Sequence, residues 1–172
     1  MHILYVLLVT FFAGMGAGLG TGFAGMSAAA VISPMLITFL GMDPYMAVGI
    51  ALSSDVLASA VSAYTYHKNK NLDVKNGLIM MASVLGYELK TAVGTSVFIM
   101  TFTALTGAVS HFAIGGAPDW PVFALCVLFT LLWARIAAVF ANKADAKTLN
   151  RATGIVLVVL GIVVMGFNLL TK

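Results

Sequence analysis

One carboxylate, Asp55, lies deep within an apolar stretch of this sequence. It falls about ten residues into a predicted helix over 45–66, near the depth of the middle of a bilayer. An ionised carboxylate at that depth costs several kcal/mol unless it is paired or hydrated, so the side chain must face protein or a cavity. Two roles remain open for Asp55. It is either a protonated side chain bonded to nearby hydroxyls or a proton- or cation-coupling site.

Glycines are concentrated between Gly14 and Gly25, where Gly14, Gly18 and Gly22 follow one another at a spacing of four residues. Small residues at this spacing let two helix backbones approach closely in lipid, which is the structural interpretation. The functional interpretation is an opened helix whose free backbone N–H groups face an anion, which needs glycine's backbone freedom. No Gly-Lys-Ser/Thr ending follows, so the stretch is not a phosphate loop of the nucleotide-binding type.

A second group of polar residues, Gly94-Thr95-Ser96, stands at the start of a helix predicted over 90–113. Hydroxyls and free N–H groups at a helix N-terminus suit an anion, because both the donors and the helix dipole favour negative charge. An ordinary N-cap at the membrane interface would use the same residue types. Both interpretations of this segment remain open.

Enzymatic and metal chemistry find little support in the sequence. It contains no Ser/His/Asp set, no His-Glu-x-x-His motif and no Cys/His cluster, and its one cysteine, Cys126, lies inside an apolar run. A single cysteine excludes an intrachain disulfide and a thiolate metal site. We therefore predict that the protein is not an enzyme and that it holds neither a cofactor nor a metal.

The whole chain has the composition of a membrane protein. Among 172 residues, nine are Lys or Arg and six are Asp or Glu, so that 9% are charged, 61% are apolar, and the mean hydropathy is +1.05. About 25% of the residues of a soluble domain are charged, and a disordered chain would be poor in apolar residues. The few basic residues cannot form a phosphate-tracking patch, which excludes nucleic acid as a partner. The lipid bilayer is the predicted partner.

The helices that position the polar residues follow from hydropathy, which predicts an all-α integral membrane protein with about six to seven hydrophobic helical segments. Residues 3–42 carry no formal charge. As one helix they would be about 60 Å long, twice the hydrocarbon thickness, so the chain must turn. The glycine-rich stretch, followed by Ser27 and Pro34, is where we expect a broken or re-entrant helix. This divides the region into a helix over 3–24 and a shorter piece over 27–41.

The remaining apolar segments predict the topology. Further helices are expected over four ranges, 45–66, 90–113, 119–141 and 151–170, and a fifth segment, 76–87, is too short to span a bilayer. Loops 67–75 and 143–151 carry basic residues, so both should face the cytoplasm. The three apolar segments between them would place the loops on opposite sides. The conflict disappears if 76–87 enters and leaves by the same side.

An internal repeat is visible at a constant offset of 45 residues. Leu-Gly followed six residues later by Ala-Val-Gly occurs within 40–49 and again within 85–94, and the same frame pairs Asp43 with Glu88. Duplicated halves with broken helices at corresponding positions are typical of secondary transporters. We divide the single transmembrane domain, 1–172, into a first repeat over 1–80 and a truncated second repeat over 81–172.

With these motifs in place, the sequence resembles the sulfite exporter TauE/SafE family. The residues that carry the resemblance are Gly22-Phe23-Ala24-Gly25-Met26-Ser27-Ala28-Ala29 with Pro34, then Ala47-Val48-Gly49, Ala92-Val93-Gly94-Thr95-Ser96, and Trp133-Ala134-Arg135 through Arg151-Ala152-Thr153-Gly154. The family's usual Gly-Gly-Gly before the proline is here Ser27-Ala28-Ala29. Family members have two inverted halves, each opened by a glycine-rich broken helix, whereas this chain has one such opening. It therefore resembles a short or internally deleted member, joined over 76–87.

The resemblance implies a function and a site. A multi-pass protein of this type would move small anions, such as sulfite, sulfonates or related organic anions, across the bacterial inner membrane. By analogy the substrate-binding residues would be those of the two glycine motifs: Gly22, Gly25, Ser27, Gly94, Thr95 and Ser96. Asp55 is the candidate for coupling transport to a proton or cation. Because the second glycine opening is missing, the alternative is a non-transporting remnant or partial subunit that needs a partner or a second copy in a homo-oligomer.

Overall fold

The computed structural model describes residues 3–73 and 89–170. Within these two ranges the chain is helical and contains no strand, so the predicted all-α class is confirmed. The helices are α1 (Ile3–Ala24), α2 (Ala29–Leu40), α3 (Pro44–Lys68), α4 (Leu89–Gly115), α5 (Trp120–Lys143) and α6 (Ala146–Leu170). For the first five of these, the predicted bounds agree with the observed ones to within two residues.

The described helices confirm a multi-pass membrane protein. Four of them, α1, α3, α4 and α5, are long and apolar enough to cross a bilayer, which is fewer than the six to seven segments predicted. Helix α2 has 12 residues, or about 18 Å of helix against about 30 Å of hydrocarbon, so it cannot span. The predicted segment 76–87 falls outside the described residues.

The start of α6 differs from the prediction. The helix begins at Ala146 rather than at 151, so Lys147 and Arg151 lie in its first turns and not in a loop. Asp145 stands directly before the helix, and its carboxylate accepts hydrogen bonds from Thr148, which lowers the pKa of that carboxyl. A carboxylate that bonds three residues ahead is an N-cap. The N-cap aspartate is visible in the sequence, but the prediction used hydropathy alone and therefore placed the start of the helix too late.

The predicted break in the first apolar stretch lies between α1 and α2. Helix α1 ends at Ala24, and Gly25 takes a left-handed conformation with φ of 64°, which residues other than glycine rarely adopt. The N–H of Met26 then donates to the carbonyl of Gly20 at 3.2 Å. Pro34 lies inside α2 and not at the break, so the glycine, rather than the proline, interrupts the helix.

The glycines spaced by four residues on α1 pack against α5. A Cβ atom placed on Gly18 would lie 2.6 Å from the backbone nitrogen of Ala134 and 2.7 Å from the carbonyl oxygen of Thr130, both on α5. One on Gly22 would lie 2.5 Å from the Cβ atom of Ala137. Only glycine permits this approach, so the structural interpretation of the spacing holds for this face of α1.

Three helix ends meet at one end of the bundle. The side-chain amide of Asn71, after α3, donates to the Oδ1 atom of Asn142 near the end of α5 at 2.6 Å. Lys90 at the start of α4 donates to the carbonyl of Asn142 at 3.0 Å. Residues 73 and 89, which flank the undescribed segment, are therefore on the same side, as the topology argument requires.

The antiparallel helices α3 and α4 make two matching contacts. A Cβ atom on Gly49 would meet the ring of His111, and one on Gly94 would meet the side chain of Tyr66. Gly94 follows Gly49 by 45 residues, and His111 follows Tyr66 by 45 residues. The predicted offset of 45 residues therefore converts one contact into the other. A two-fold axis between the two helices would produce such a pair of contacts. The division into repeats stays a prediction.

Candidate functional site

The carboxylate of Asp55 is directed at the break between α1 and α2. Asp55 lies in the interior of α3 and is 0% exposed. The hydroxyl of Ser27 donates to its Oδ2 atom at 2.6 Å, and the backbone N–H of Ala28 donates to its Oδ1 atom at 3.0 Å. Within residues 3–73 and 89–170, no cation pairs with this carboxylate.

Asp55 supplies the acceptor that α2 lacks at its N-terminus. Ala28 occupies the N-cap position and has no side-chain oxygen to bond the free N–H groups there. Those N–H groups and the helix dipole attract negative charge. Ser27 accepts one of them, from Ala29, at 3.2 Å, and Asp55 accepts another from across the bundle. The carboxylate of Asp55 thus lies at the N-terminus of α2, a position that favours negative charge.

Two hydroxyls fix the glycine carbonyls of the same break. The Tyr66 hydroxyl on α3 donates to the carbonyl of Gly22 at 2.8 Å, and the Ser96 hydroxyl on α4 donates to that of Gly25 at 3.2 Å. A Cβ atom on Gly25 would lie 3.1 Å from the Cβ atom of Ser96. The structure therefore brings together four of the predicted substrate-binding residues, Gly22, Gly25, Ser27 and Ser96, at the break, and Ser27 among them contacts the carboxylate of Asp55.

The other two predicted residues, Gly94 and Thr95, do not face the break. Gly94 packs against Tyr66, and the buried Thr95 hydroxyl accepts a hydrogen bond from the backbone N–H of Asp73 at 3.3 Å. Because α4 begins at Leu89, both residues lie beyond its first turn, and their N–H groups bond carbonyls within the helix. The prediction of free N–H groups in this segment is wrong for that reason.

A row of polar side chains extends from Asp55 along one face of α3. Its members are spaced by four, three and four residues, and each is 0% exposed: Asp55, Ser59, Ser62 and Tyr66. The hydroxyl of Thr101 on α4 donates to Ser59 Oγ at 3.2 Å. Sequence reasoning missed this row, although its spacing is that of a single helix face.

Two buried hydroxyls near this row lack partners among the described residues. They belong to Ser62, within the row, and to Thr21, next to Gly22 on α1. Buried polar atoms are nearly always hydrogen-bonded, so an orphaned one calls for a ligand, a water or a second conformation. The region between α1 and α3 therefore has unused hydrogen-bonding capacity beside the helix break.

The bond between Tyr66 and Gly22 yields a test of how the break is held. We expect Tyr66→Phe to lower the free energy of unfolding by about 1–3 kcal/mol, because it leaves a buried carbonyl without its donor. Thermal unfolding in detergent measures the change. Tyr5→Phe is the matched control, since the Tyr5 hydroxyl makes a similar 2.8 Å bond to the carbonyl of Phe39 at an exposed position. Equal effects of the two variants would contradict the buried role.

The polar groups of the described residues fit anion binding better than metal binding. Within 3–73 and 89–170 there is no group of three or more His, Cys, Asp or Glu side chains that could hold a metal ion. The donors at the break are hydroxyls, backbone N–H groups and a helix N-terminus, which are the groups that bind oxyanions in proteins. Those of Ser27 and Ala28 bond the carboxylate of Asp55.

Comparison with known proteins identifies one family. The family model described as sulfite exporter TauE/SafE matches residues 10–86 and 77–164. These two stretches include every predicted site residue, and they meet at 77–86, within the segment where the two repeats are predicted to join. No curated protein and no solved structure matches the chain.

Proposed function

The chain belongs to the sulfite exporter TauE/SafE family, and on this premise we propose that it moves sulfite, sulfonates or related small anions across the bacterial inner membrane. The family is described as one of sulfite exporters, and the site offers donors suited to an oxyanion. The observation that carries the proposal is the buried carboxylate of Asp55 bound to Ser27 and Ala28 at the start of α2.

The proposed anion site is the break itself. The transported anion would accept the Ser27 hydroxyl and the Ala28 N–H in place of Asp55, next to the hydroxyl of Ser96. Gly94 and Thr95 would act indirectly, by fixing α4 against the end of α3. Because glycine residues form the break, the backbone can open there without a side chain blocking the anion's path.

Asp55 would couple transport to protons by competition. An ionised Asp55 and the substrate anion need the same two donors and repel each other, so both cannot occupy the break. Protonation of Asp55 removes its charge and weakens its hold on the donors, which admits the anion. Each anion would therefore cross together with a proton.

Transport by the purified chain in proteoliposomes tests the proposal. We expect labelled sulfite, or a simple organic sulfonate such as methanesulfonate, to exchange across the vesicle membrane faster than in protein-free vesicles. A comparison among these anions would assign the substrate. If the folded chain exchanges none of these anions, the proposal is overturned and the non-transporting remnant is favoured.

Two hydroxyls of α4, one at the break and one remote from it, should respond differently to substitution. We expect Ser96→Ala to slow anion exchange by about threefold to tenfold, because a hydrogen bond that contributes about 1 kcal/mol holds Gly25 in place. Initial exchange rates at equal protein amounts measure the effect. Ser110→Ala, on the exposed face of the same helix, is the matched control and should leave the rate unchanged. A Ser96 variant as fast as the parent would remove Ser96 from the site.

A further inference from the structure

A cavity of about 390 Å³ lies on the outside of the bundle, between the last turns of α3 and the last turns of α5. Its α3 wall includes Val61, Tyr64 and Lys68, and its α5 wall is formed by Arg135 and Val139. The side chain of Tyr64 is 69% exposed, so the cavity opens toward the lipid rather than toward the interior. This volume is within the range of small-molecule sites.

The two cations of this cavity have no partner among the residues that the structure describes. Within residues 3–73 and 89–170, neither Lys68 nor Arg135 forms an ion pair or a hydrogen bond. The neighbouring polar groups are already engaged, since the Asn69 side-chain amide donates to the Thr65 carbonyl at 2.7 Å and the Thr65 hydroxyl donates within its own helix. The cavity thus presents two free positive charges and few other donors.

The depth of Arg135 explains why these charges require a partner. Arg135 precedes Lys143, the last residue of α5, by eight residues, or about 12 Å of helix. Its Cα atom therefore lies within the hydrocarbon region, where an unpaired guanidinium is costly. The long side chain can reach the headgroup level near the end of α5, which is also where α3 ends at Lys68.

This cavity is separate from the helix break. Tyr64 follows Asp55 by nine residues, which turns the helix by about 180° beyond two full turns. The polar row of Asp55, Ser59, Ser62 and Tyr66 therefore lies on the face of α3 that points inward, and the cavity lies on the opposite face. A ligand in the cavity would not touch the proposed anion site.

We propose that this cavity binds the headgroup of an anionic phospholipid. The lipid phosphate would lie between Lys68 and Arg135, because a guanidinium binds phosphate oxygens with two parallel hydrogen bonds. Val61 and Val139 would contact the glycerol backbone and the first acyl carbons, and the ring of Tyr64 would lie at the interface. Basic cavities between transmembrane helices on the cytoplasmic side bind anionic headgroups in this way.

Lipid retention tests the proposal. The full chain is purified in detergent with an equimolar mixture of phosphatidylglycerol and phosphatidylcholine, and the lipid that stays bound is measured by native mass spectrometry. We expect the parent to retain phosphatidylglycerol at least tenfold over phosphatidylcholine. The Lys68→Gln/Arg135→Gln double variant should lose this preference. The control, Lys143→Gln/Lys147→Gln, removes the same charge outside the cavity and should keep it.

Further arms of the experiment make the result decisive. Equal retention of the two lipids by the parent, or an equal loss in the control variant, would overturn the proposal. Stabilisation of the parent by inorganic phosphate or sulfite, lost in the double variant, would assign the cavity to a free oxyanion instead. If the double variant does not fold, Arg135→Lys replaces it. That variant keeps the charge, loses the paired hydrogen bonds, and should retain less phosphatidylglycerol than the parent.

Discussion

Asp55→Asn is expected to abolish anion uptake driven by a proton gradient while leaving anion exchange largely intact. The amide oxygen of asparagine can still accept from Ser27 or Ala28, but the side chain can neither gain a proton nor carry a charge. We expect uptake under an inward proton gradient to fall at least tenfold, and exchange at equal pH on both sides to stay within about threefold of the parent. Labelled sulfite and a pH-sensitive dye inside the vesicles measure both.

The controls separate coupling from folding and from binding. Asp43→Asn changes another aspartate of the same helix, the N-cap whose Oδ1 atom accepts from the Met46 N–H at 3.1 Å, and should leave both rates unchanged because asparagine caps equally well. Gradient-driven uptake by Asp55→Asn at the parent's rate would contradict the coupling role. If a folded Asp55→Asn variant loses anion exchange as well, Asp55 stabilises the structure of the break and does not couple transport.

Gly18→Ala is expected to destabilise the bundle by forcing α1 and α5 apart. The added methyl group would lie 2.6 Å and 2.7 Å from backbone atoms of α5, which cannot rotate away as a side chain can. The two helices must therefore separate, at a cost of about 1–3 kcal/mol for overpacking. Thermal unfolding in detergent, followed by the loss of monodisperse protein, measures the change.

Gly20→Ala is the matched control for this prediction. The methyl group there would meet its nearest neighbour, the Cβ atom of Met26, at an ordinary distance of 3.8 Å. Alanine also favours a helix over glycine by about 1 kcal/mol, so this variant should be as stable as the parent or more stable. Equal melting temperatures for the two variants would show that α1 and α5 are not held as closely as the glycines indicate.

Much of the fold could be predicted because local sequence determines where a membrane helix begins and ends. In lipid every backbone group must bond within its own segment, so an uncharged apolar run of sufficient length becomes a helix. Asp43 and Asp119 cap α3 and α5, and a proline follows each within two residues. Gly25 interrupts the first apolar stretch where the glycines predicted it. These features depend only on residues close together in the chain.

The faces of the helices could not be predicted in this way. In a soluble protein the polar side of a helix marks the surface, but here the lipid-facing side is as apolar as the packed side, so hydropathy shows no preferred face. Thr95 and Ser96 illustrate the consequence. The sequence predicted one role for both, yet a turn of about 100° between successive residues directs Thr95 toward Asp73 and Ser96 toward Gly25.

The sequence by itself determined that the protein is a multi-pass membrane protein with a broken helix, a buried acid and a family resemblance, since composition and motifs decide these. Only the tertiary structure decided what the buried acid binds. Asp55 meets Ser27 across 28 residues of sequence, and Tyr66 meets Gly22 across 44. Such contacts depend on how each helix is rotated about its axis, and packing between helices, rather than local sequence, sets that rotation.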